Sequence, residues 1–188
     1  INCIDQLAKD GRALEAVEHV YDSASRLTGL NDTTAMGTDL QITYDEASQL
    51  TDLRRYSATT ANTGSLEVHT RMGYDLAGRL TSITHGKTEI TAGQTWNGTS
   101  TAPASLGASN LLAGYFLTYD QDKRLTSLSS WRDAAKTNYT YNATDQLTAA
   151  TSTLIAGLTL PFALPVAETY NLDLSGNRRT AGGVSQSA

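Results

Sequence analysis

The sequence predicts an all-β chain of consecutive antiparallel hairpins joined into a single sheet. Three observations carry this reading. An eight-residue phrase opening on tyrosine recurs along the 188 residues. The segments leading into each tyrosine alternate apolar and polar side chains, the period of a strand. Composition agrees: threonine occurs 28 times, and nine tyrosines stand against two phenylalanines and two tryptophans. Threonine and tyrosine both favour the pleated, half-buried surface of a sheet.

The phrase has five clear copies: YDSASRLT from Tyr21, YDEASQLT from Tyr44, YDLAGRLT from Tyr74, YDQDKRLT from Tyr119 and YNATDQLT from Tyr141. The shared frame is Tyr, Asp or Asn, three variable residues, Arg or Gln, Leu, Thr. Two weaker copies extend it. INCIDQLA places Ile1 in the tyrosine slot, and Tyr170 opens the stretched form YNLDLSGNRRT. Starts at 1, 21, 44, 74, 119, 141 and 170 are separated by 20, 23, 30, 45, 22 and 29 residues. The 45 is close to two units, and a step of 22 from Tyr74 lands on Trp96-Asn97, a candidate degenerate copy without the Arg-Leu-Thr half.

Each unit builds two strands and a turn. Before the tyrosine, Ile42 and Leu40, Met72 and Thr70, Leu117 and Tyr115, and Tyr139 and Thr137 fall on one face, which is mostly apolar. Thr43 and Gln41, Gly73 and Arg71, Thr118 and Phe116, and Thr140 and Asn138 fall on the other, which is mostly polar. After it, Asp22, Asp45, Asp75, Asp120 or Asn142 can bond to the backbone two residues on, which starts a turn. Gly78 takes φ > 0 without steric cost, whereas Ser25, Ser48, Lys123 and Asp145 make that conformation less assured in the other copies. The second strand opens at Leu27, Leu50, Leu80, Leu125 or Leu147. Its apolar pairs are spaced by three (Leu27 and Leu30, Leu50 and Leu53, Leu80 and Ile83, Leu125 and Leu128), which either a bulge or burial on both faces would reconcile. Stacked units are expected to lay the tyrosines in aromatic cross-strand pairs.

Two excursions interrupt the pattern. Residues 86–114 are rich in Gly, Ser, Thr and Ala and read as a departure with its own weak strand. In 150–168, Leu158, Leu160, Phe162, Leu164 and Val166 alternate, yet Pro161 and Pro165 cannot donate ladder hydrogen bonds. A loop packed against neighbouring wall is the expected outcome there.

Other chemistry is sparse. A net charge of −5 and a pI near 5.1 argue against nucleic-acid binding. No run of about 20 apolar residues suggests membrane insertion. Cys3 has no partner for an internal disulfide and reads as an inert small residue. His19, His69 and His85 fit no HExxH or comparable motif and read as structural; no GxSxG, phosphate loop or paired cysteines occur. One turn carboxylate per copy falls short of the six to eight oxygens calcium takes, so turn capping is the preferred role for the aspartates. Arg26, Arg79 and Arg124 either pair with those carboxylates or line a surface for acidic glycans. Asn-x-Ser/Thr sequons stand at Asn31, Asn97, Asn138 and Asn142 and matter only in a eukaryotic secretory setting. The expectation is a protein without catalysis, metal or cofactor.

Y-D-x-x-G-R-L-T resembles the signature of YD repeats, also called Rhs repeats. YDLAGRLT from Tyr74 is nearly a consensus copy, and Gly176-Asn177-Arg178 resembles the family's Gly-Asn-Arg variant. The resemblance covers almost the whole chain. That family includes bacterial Rhs and wall-associated polymorphic toxins, the B and C components of Tc toxins, and teneurins. It implies a curved, spiralling sheet that forms a hollow shell, enclosing a C-terminal toxin in bacterial members. It further implies structural roles for Tyr21, Tyr44, Tyr74, Tyr119, Tyr141, Tyr170, Asp22, Asp45, Asp75, Asp120, Gly78, Arg79, Leu27, Leu50, Leu80, Leu125 and Leu147. The implied partners are the rest of a parent shell and an enclosed toxin, and the implied location is secreted or at the bacterial surface. Members that release their toxin cut at an Asp-Pro step. Pro103, Pro161 and Pro165 follow Ala102, Leu160 and Leu164, so that step is absent from this stretch. The start at Ile1, inside the pattern, reads as a fragment. At two strands per unit, roughly 14–16 strands spaced about 4.8 Å make a sheet about 70 Å across, too little to close a shell alone. Its unpaired terminal strands invite edge-to-edge self-association.

Overall fold

The computed structural model describes residues 17–32, 38–57, 64–104, 106–159, 161, 163–164, 167–172 and 178–183. The chain's opening copy, Ile1 to Ala8 with Cys3, lies outside them, as do Leu160, Phe162, Pro165 and Val166.

Twelve strands among the described residues form one sheet in strict sequence order, every neighbouring pair antiparallel. They are β1 (Val17–Tyr21), β2 (Leu27–Asp32), β3 (Thr38–Tyr44), β4 (Leu50–Ser57), β5 (Leu66–Tyr74), β6 (Leu80–Gly86), β7 (Leu111–Tyr119), β8 (Leu125–Ser130), β9 (Ala135–Tyr141), β10 (Leu147–Leu154), β11 (Glu168–Leu172) and β12 (Arg178–Gly183). One helical turn, α1 (Gly107–Asn110), precedes β7. The all-β meander expected from the repeat is the fold observed.

The spacing of three is resolved by a bulge. In each of the five clear copies the register slips next to the tyrosine. Val20 faces Gly29 and Tyr21 faces Leu27, so Thr28 is the extra residue. The same slip sets Tyr44 against Leu50, Tyr74 against Leu80, Tyr119 against Leu125 and Tyr141 against Leu147. One extra residue flips the alternation once, so Leu50 and Leu53 reach the same face.

This register also corrects the last unit. Leu172 faces Arg178, with the slip beside it. The six-residue separation is that of Tyr21 and Leu27, so Leu172 and not Tyr170 occupies the aromatic slot. Tyr170 sits two residues upstream, where other units carry Ile42 or Met72. The turn length sets the frame, and the aromatic residue does not. Residues 173–177 between them lie outside the described set.

The excursions are narrower than their composition suggests. β6 runs to Gly86 and β7 starts at Leu111, leaving 87–110. No strand or hairpin forms there among the described residues, so Trp96-Asn97 builds no degenerate repeat. β10 extends to Leu154, and 155–167 is likewise without a strand where described. Both stretches lack the Asp-to-Arg turn that starts a hairpin.

The burial of the two faces departs from expectation. Leu40, Ile42, Leu53, Met72, Ile83, Leu117 and Leu128 share one face through the registers of β3 to β8, and all are only half-buried. On the polar face His69 and Thr84 are fully buried, with Asp52, Ser82, Ser127 and Ser129 nearly so. The cause is the 87–110 connection, which lies across that polar face. Its Ile90, Trp96 and Leu106 form a core with Leu111 and Ile155, flanked by Phe116 and Trp131. Trp96 and Trp131 meet edge to face at 5.8 Å. The backbone N–H of Trp96 donates to the Thr84 hydroxyl at 2.7 Å, and its indole N–H to the Thr99 carbonyl at 2.7 Å.

Gly114 admits this tryptophan. A Cβ there would fall 2.7 Å from the Trp96 ring. Gly114→Ala is therefore expected to displace Trp96 and lower stability by about 1–3 kcal/mol, through overpacking. Chemical denaturation measures this; an unchanged midpoint would contradict the packing.

Candidate functional site at the turn edge

The five described odd-to-even connections, from β1–β2 to β9–β10, lie along one edge of the sheet, and there the repeated residues converge. In the three copies that pair Asp with Arg, both carboxylate oxygens find partners. In the first copy, Asp22 Oδ1 accepts from the backbone N–H groups of Ala24 and Arg26, both at 2.9 Å, and Oδ2 accepts from Arg26 Nε at 2.7 Å. The Asp22 N–H donates to the Arg26 carbonyl, and the Ser25 N–H to the Asp22 carbonyl, both at 3.0 Å. The pattern repeats at Asp75 with Arg79 and at Asp120 with Arg124, whose Nε contacts measure 2.6 and 2.7 Å. Where Asn142 replaces Asp, Gln146 replaces Arg, and the Asn142 amide donates to Gln146 Oε1 at 2.7 Å. In that copy donor and acceptor still match, whereas Asp45 faces Gln49 without a side-chain pair and its carboxylate accepts only the Gln49 N–H, at 2.8 Å.

These bonds favour the ionised carboxylate. Backbone and side-chain hydrogen bonds from Arg26 hold the Asp22 carboxyl below its ordinary range, and Arg79 does the same for Asp75. At Asp120 burial pushes upward, but the side-chain and backbone bonds of Arg124 outweigh it.

The fourth residue of each of the five described turns has positive φ: Ser25 at 62°, Ser48 at 63°, Gly78 at 76°, Lys123 at 67° and Asp145 at 63°. Glycine is absent from four of the five, so there the surrounding bonds impose the left-handed conformation on residues with a Cβ.

Beyond the turn, the same residues join one hairpin to the next. Pairing with the following hairpin starts two residues past the opening leucine, and the tyrosine of that hairpin donates its hydroxyl to the leucine carbonyl. Tyr44 reaches Leu27 at 3.0 Å; Tyr74 reaches Leu50, Tyr119 reaches Leu80, and Tyr141 reaches Leu125, each at 2.8 Å. Arginine closes the joint. The guanidinium of Arg26 stands 4.7 Å over the Tyr44 ring, Arg79 4.9 Å over Tyr119 and Arg124 5.1 Å over Tyr141. Their Nη1 atoms continue to the next turn, at the Asp45 carbonyl (3.3 Å), the Asp120 carbonyl (3.1 Å) and Asp145 Oδ1 (2.6 Å). Gln49 makes the equivalent reach to the Gly78 carbonyl at 2.8 Å. The threonine after the leucine returns its hydroxyl to the other strand, as Thr81 does to Gly73 at 3.1 Å.

The tyrosines are therefore not paired ring to ring, as stacking alone suggests. Tyr44, Tyr119 and Tyr141 instead lie under guanidinium groups, with the hydroxyl anchored one hairpin back. Among the described residues the ring–ring contacts are His85 with Tyr115 and Trp96 with Trp131. Tyr21, in the first described hairpin, is 58% exposed. The arrangement offers hydrogen bonds and cation–π contacts already satisfied within the protein, with no nucleophile–base pair at this edge. Among the described residues no group of His, Cys, Asp or Glu is placed to hold a metal, and no helix is long and apolar enough to cross a membrane.

A second polar cluster escaped the sequence reading. Buried His69 meets Asp52 and, from the 87–110 connection, Glu89; Arg71 and Arg54 in turn pair with those carboxylates. These residues are drawn from two strands and a loop, and no motif spacing marks them. His19 is exposed, and His85 accepts or donates with Thr70 on the opposite face at 2.8 Å.

Comparison with known proteins returns structural likenesses only: no family model and no curated protein matches. The Photorhabdus luminescens Tc holotoxin pore aligns over 90% of this chain at 19% identity and a TM-score of 0.44, as does the TcdB2–TccC3 complex. TcdB2–TccC3 without its hypervariable C-terminal region aligns over 89% at 14% identity, again at 0.44. The chain spans about 9% of the length of each of those chains.

Two outcomes are expected at this edge. Lys123→Gly removes a left-handed side-chain cost and raises stability by about 0.5–1 kcal/mol, whereas Gly78→Ala lowers it by a similar amount; thermal unfolding reads both. Tyr119→Phe loses the bond to Leu80 and costs about 1 kcal/mol, and Tyr119→Ala about 1–3 kcal/mol. Equal midpoints for Phe and wild type would remove the hydroxyl from the joint.

Proposed function

We propose that this chain is a non-catalytic segment of a β-shell wall built by YD repeats. In this reading it scaffolds or encloses a C-terminal toxin or effector of its parent protein, in a secreted or surface setting. The observation that carries the reading is the joint between hairpins. At four successive joints a tyrosine hydroxyl and the leucine carbonyl of the unit before it meet in the same way. Such a joint has no natural last copy, so it suits a wall that extends by repetition. The insertion of 87–110 between β6 and β7 leaves the step intact, since Tyr119 still bonds Leu80. The repeat residues Tyr21, Asp22, Leu27 and their counterparts are assigned to structure on the same ground, and the whole chain to one repeat segment. The expected partners are further repeat units on either side and the enclosed effector.

The competing reading is a glycan- or surface-binding module. Its candidate cationic row is Arg26, Arg79 and Arg124, and those guanidinium groups are already committed to carboxylates and tyrosine rings.

Electron microscopy of the parent protein tests the proposal. A hollow shell carrying this sheet in its wall is the expected image, and a solid or free-standing module would overturn it. A glycan array on the 188-residue chain is expected to show no binding at high micromolar concentration; saturable binding to acidic glycans would favour the competing reading.

A further inference from the structure

Where the 87–110 connection leaves β6, a buried imidazole receives its Ile90 amide. His69 is wholly inaccessible to solvent. Its Nδ1 accepts the Ile90 backbone N–H at 2.8 Å. A backbone N–H can only donate, so Nδ1 carries no proton and the ring proton sits on Nε2. Nε2 in turn donates to Asp52 Oδ1 at 2.7 Å. The imidazole holding the connection is therefore neutral, with both nitrogens engaged.

The surrounding charges are few and each has a place. From β4, Asp52 touches Nε2, and Arg54 lies beside it with Nη2 3.8 Å from Asp52 Oδ1. From β5, Arg71 Nη1 sits 3.0 Å from Asp52 Oδ1 and donates to the Ile90 carbonyl at 3.1 Å. From β6, Gly86 stands opposite His69 and brings no charge. From the connection itself, Glu89 Oε2 lies 3.5 Å from Nδ1 while its carboxylate is gripped by Arg54.

We propose that this connection is an acid-released flap, with His69 as its latch. A proton taken from solvent onto Nδ1 turns the acceptor into a donor facing the Ile90 N–H. Two donors cannot share that contact. The nearest replacement acceptor is Glu89, so the imidazolium swings to Glu89 and Asp52 and the Ile90 amide is left for water. Ile90 then leaves the core it shares with Trp96, and the polar face beneath the flap is uncovered. Burial, reinforced by the Arg54 charge, holds the His69 pKa below the ordinary histidine value, against the raising influence of Asp52 and Glu89. The sign follows: the unfolded or opened chain binds the proton more readily. The latch is thus complete above the usual histidine range and is lost as the pH falls through and below it.

Amide exchange followed by NMR on the full 188-residue chain tests this. After correction for intrinsic rates, the protection of the Ile90 amide is expected to fall at least about tenfold between pH 7.5 and 4.5, while Met72 and Ile83 in the strands stay within about twofold. His69→Asn supplies a non-titrating amide oxygen near the position of Nδ1 and is expected to abolish the pH dependence at Ile90. Constant Ile90 protection in the wild type would overturn the proposal. So would a fall shared equally by Met72 and Ile83, which is global unfolding, or an undiminished fall in a folded His69→Asn variant. If that variant does not fold, the wild-type profile decides alone.

Discussion

The structure depends on one joint between hairpins, a tyrosine hydroxyl on a leucine carbonyl. At four successive joints the opening leucine lies short of the ladder to the following hairpin, and the tyrosine of that hairpin supplies a hydrogen bond to its carbonyl. An unsatisfied carbonyl in a partly buried site is costly, and one bond of this kind contributes only about 1 kcal/mol net. The asymmetry makes the repeat cohesive. Removing a tyrosine loses its own bond and also exposes a defect in its neighbour. The guanidinium over the ring serves both sides of the joint, since the same arginine braces the carboxylate of its own turn.

This chemistry explains why the repeat tolerates variation at some positions and not at others. Asp with Arg and Asn with Gln are alternative complementary pairs, as Asp22–Arg26 and Asn142–Gln146 show. Asp45 with Gln49 forgoes the internal ion pair, and Gln49 bonds onward to Gly78 instead. The left-handed fourth position accepts Ser, Lys or Asp because three bonds within the turn outweigh a local steric cost.

A single-layer sheet must bury one face against something, and here the choice runs against hydrophobic patterning. The connection 87–110 brings its own apolar side chains to the polar face and bonds to two of the polar groups beneath it. Thr84 receives the Trp96 amide, and His69 receives that of Ile90. Glycines at 86 and 114 make the room, leaving Leu106 and Trp96 in close approach to the strands. The apolar face keeps its Leu, Ile and Met residues half-buried among strand neighbours.

The hairpins, their order and the turn residues were legible in the amino-acid sequence, because each turn is assembled within eight residues by side chains bonding to nearby backbone. Local chemistry of that kind is written in local spacing. The frame of the last unit was less legible: a conspicuous tyrosine at 170 draws the alignment two residues from where the turn length puts it. The sequence also determined the direction of growth, since antiparallel hairpins with short links add in order. Tertiary structure alone decided which face is buried, where Trp96 goes, and that Asp52, His69 and Glu89 meet. Those contacts join residues 17 to 37 positions apart through a loop without periodicity, and only the docked geometry of that loop selects their partners.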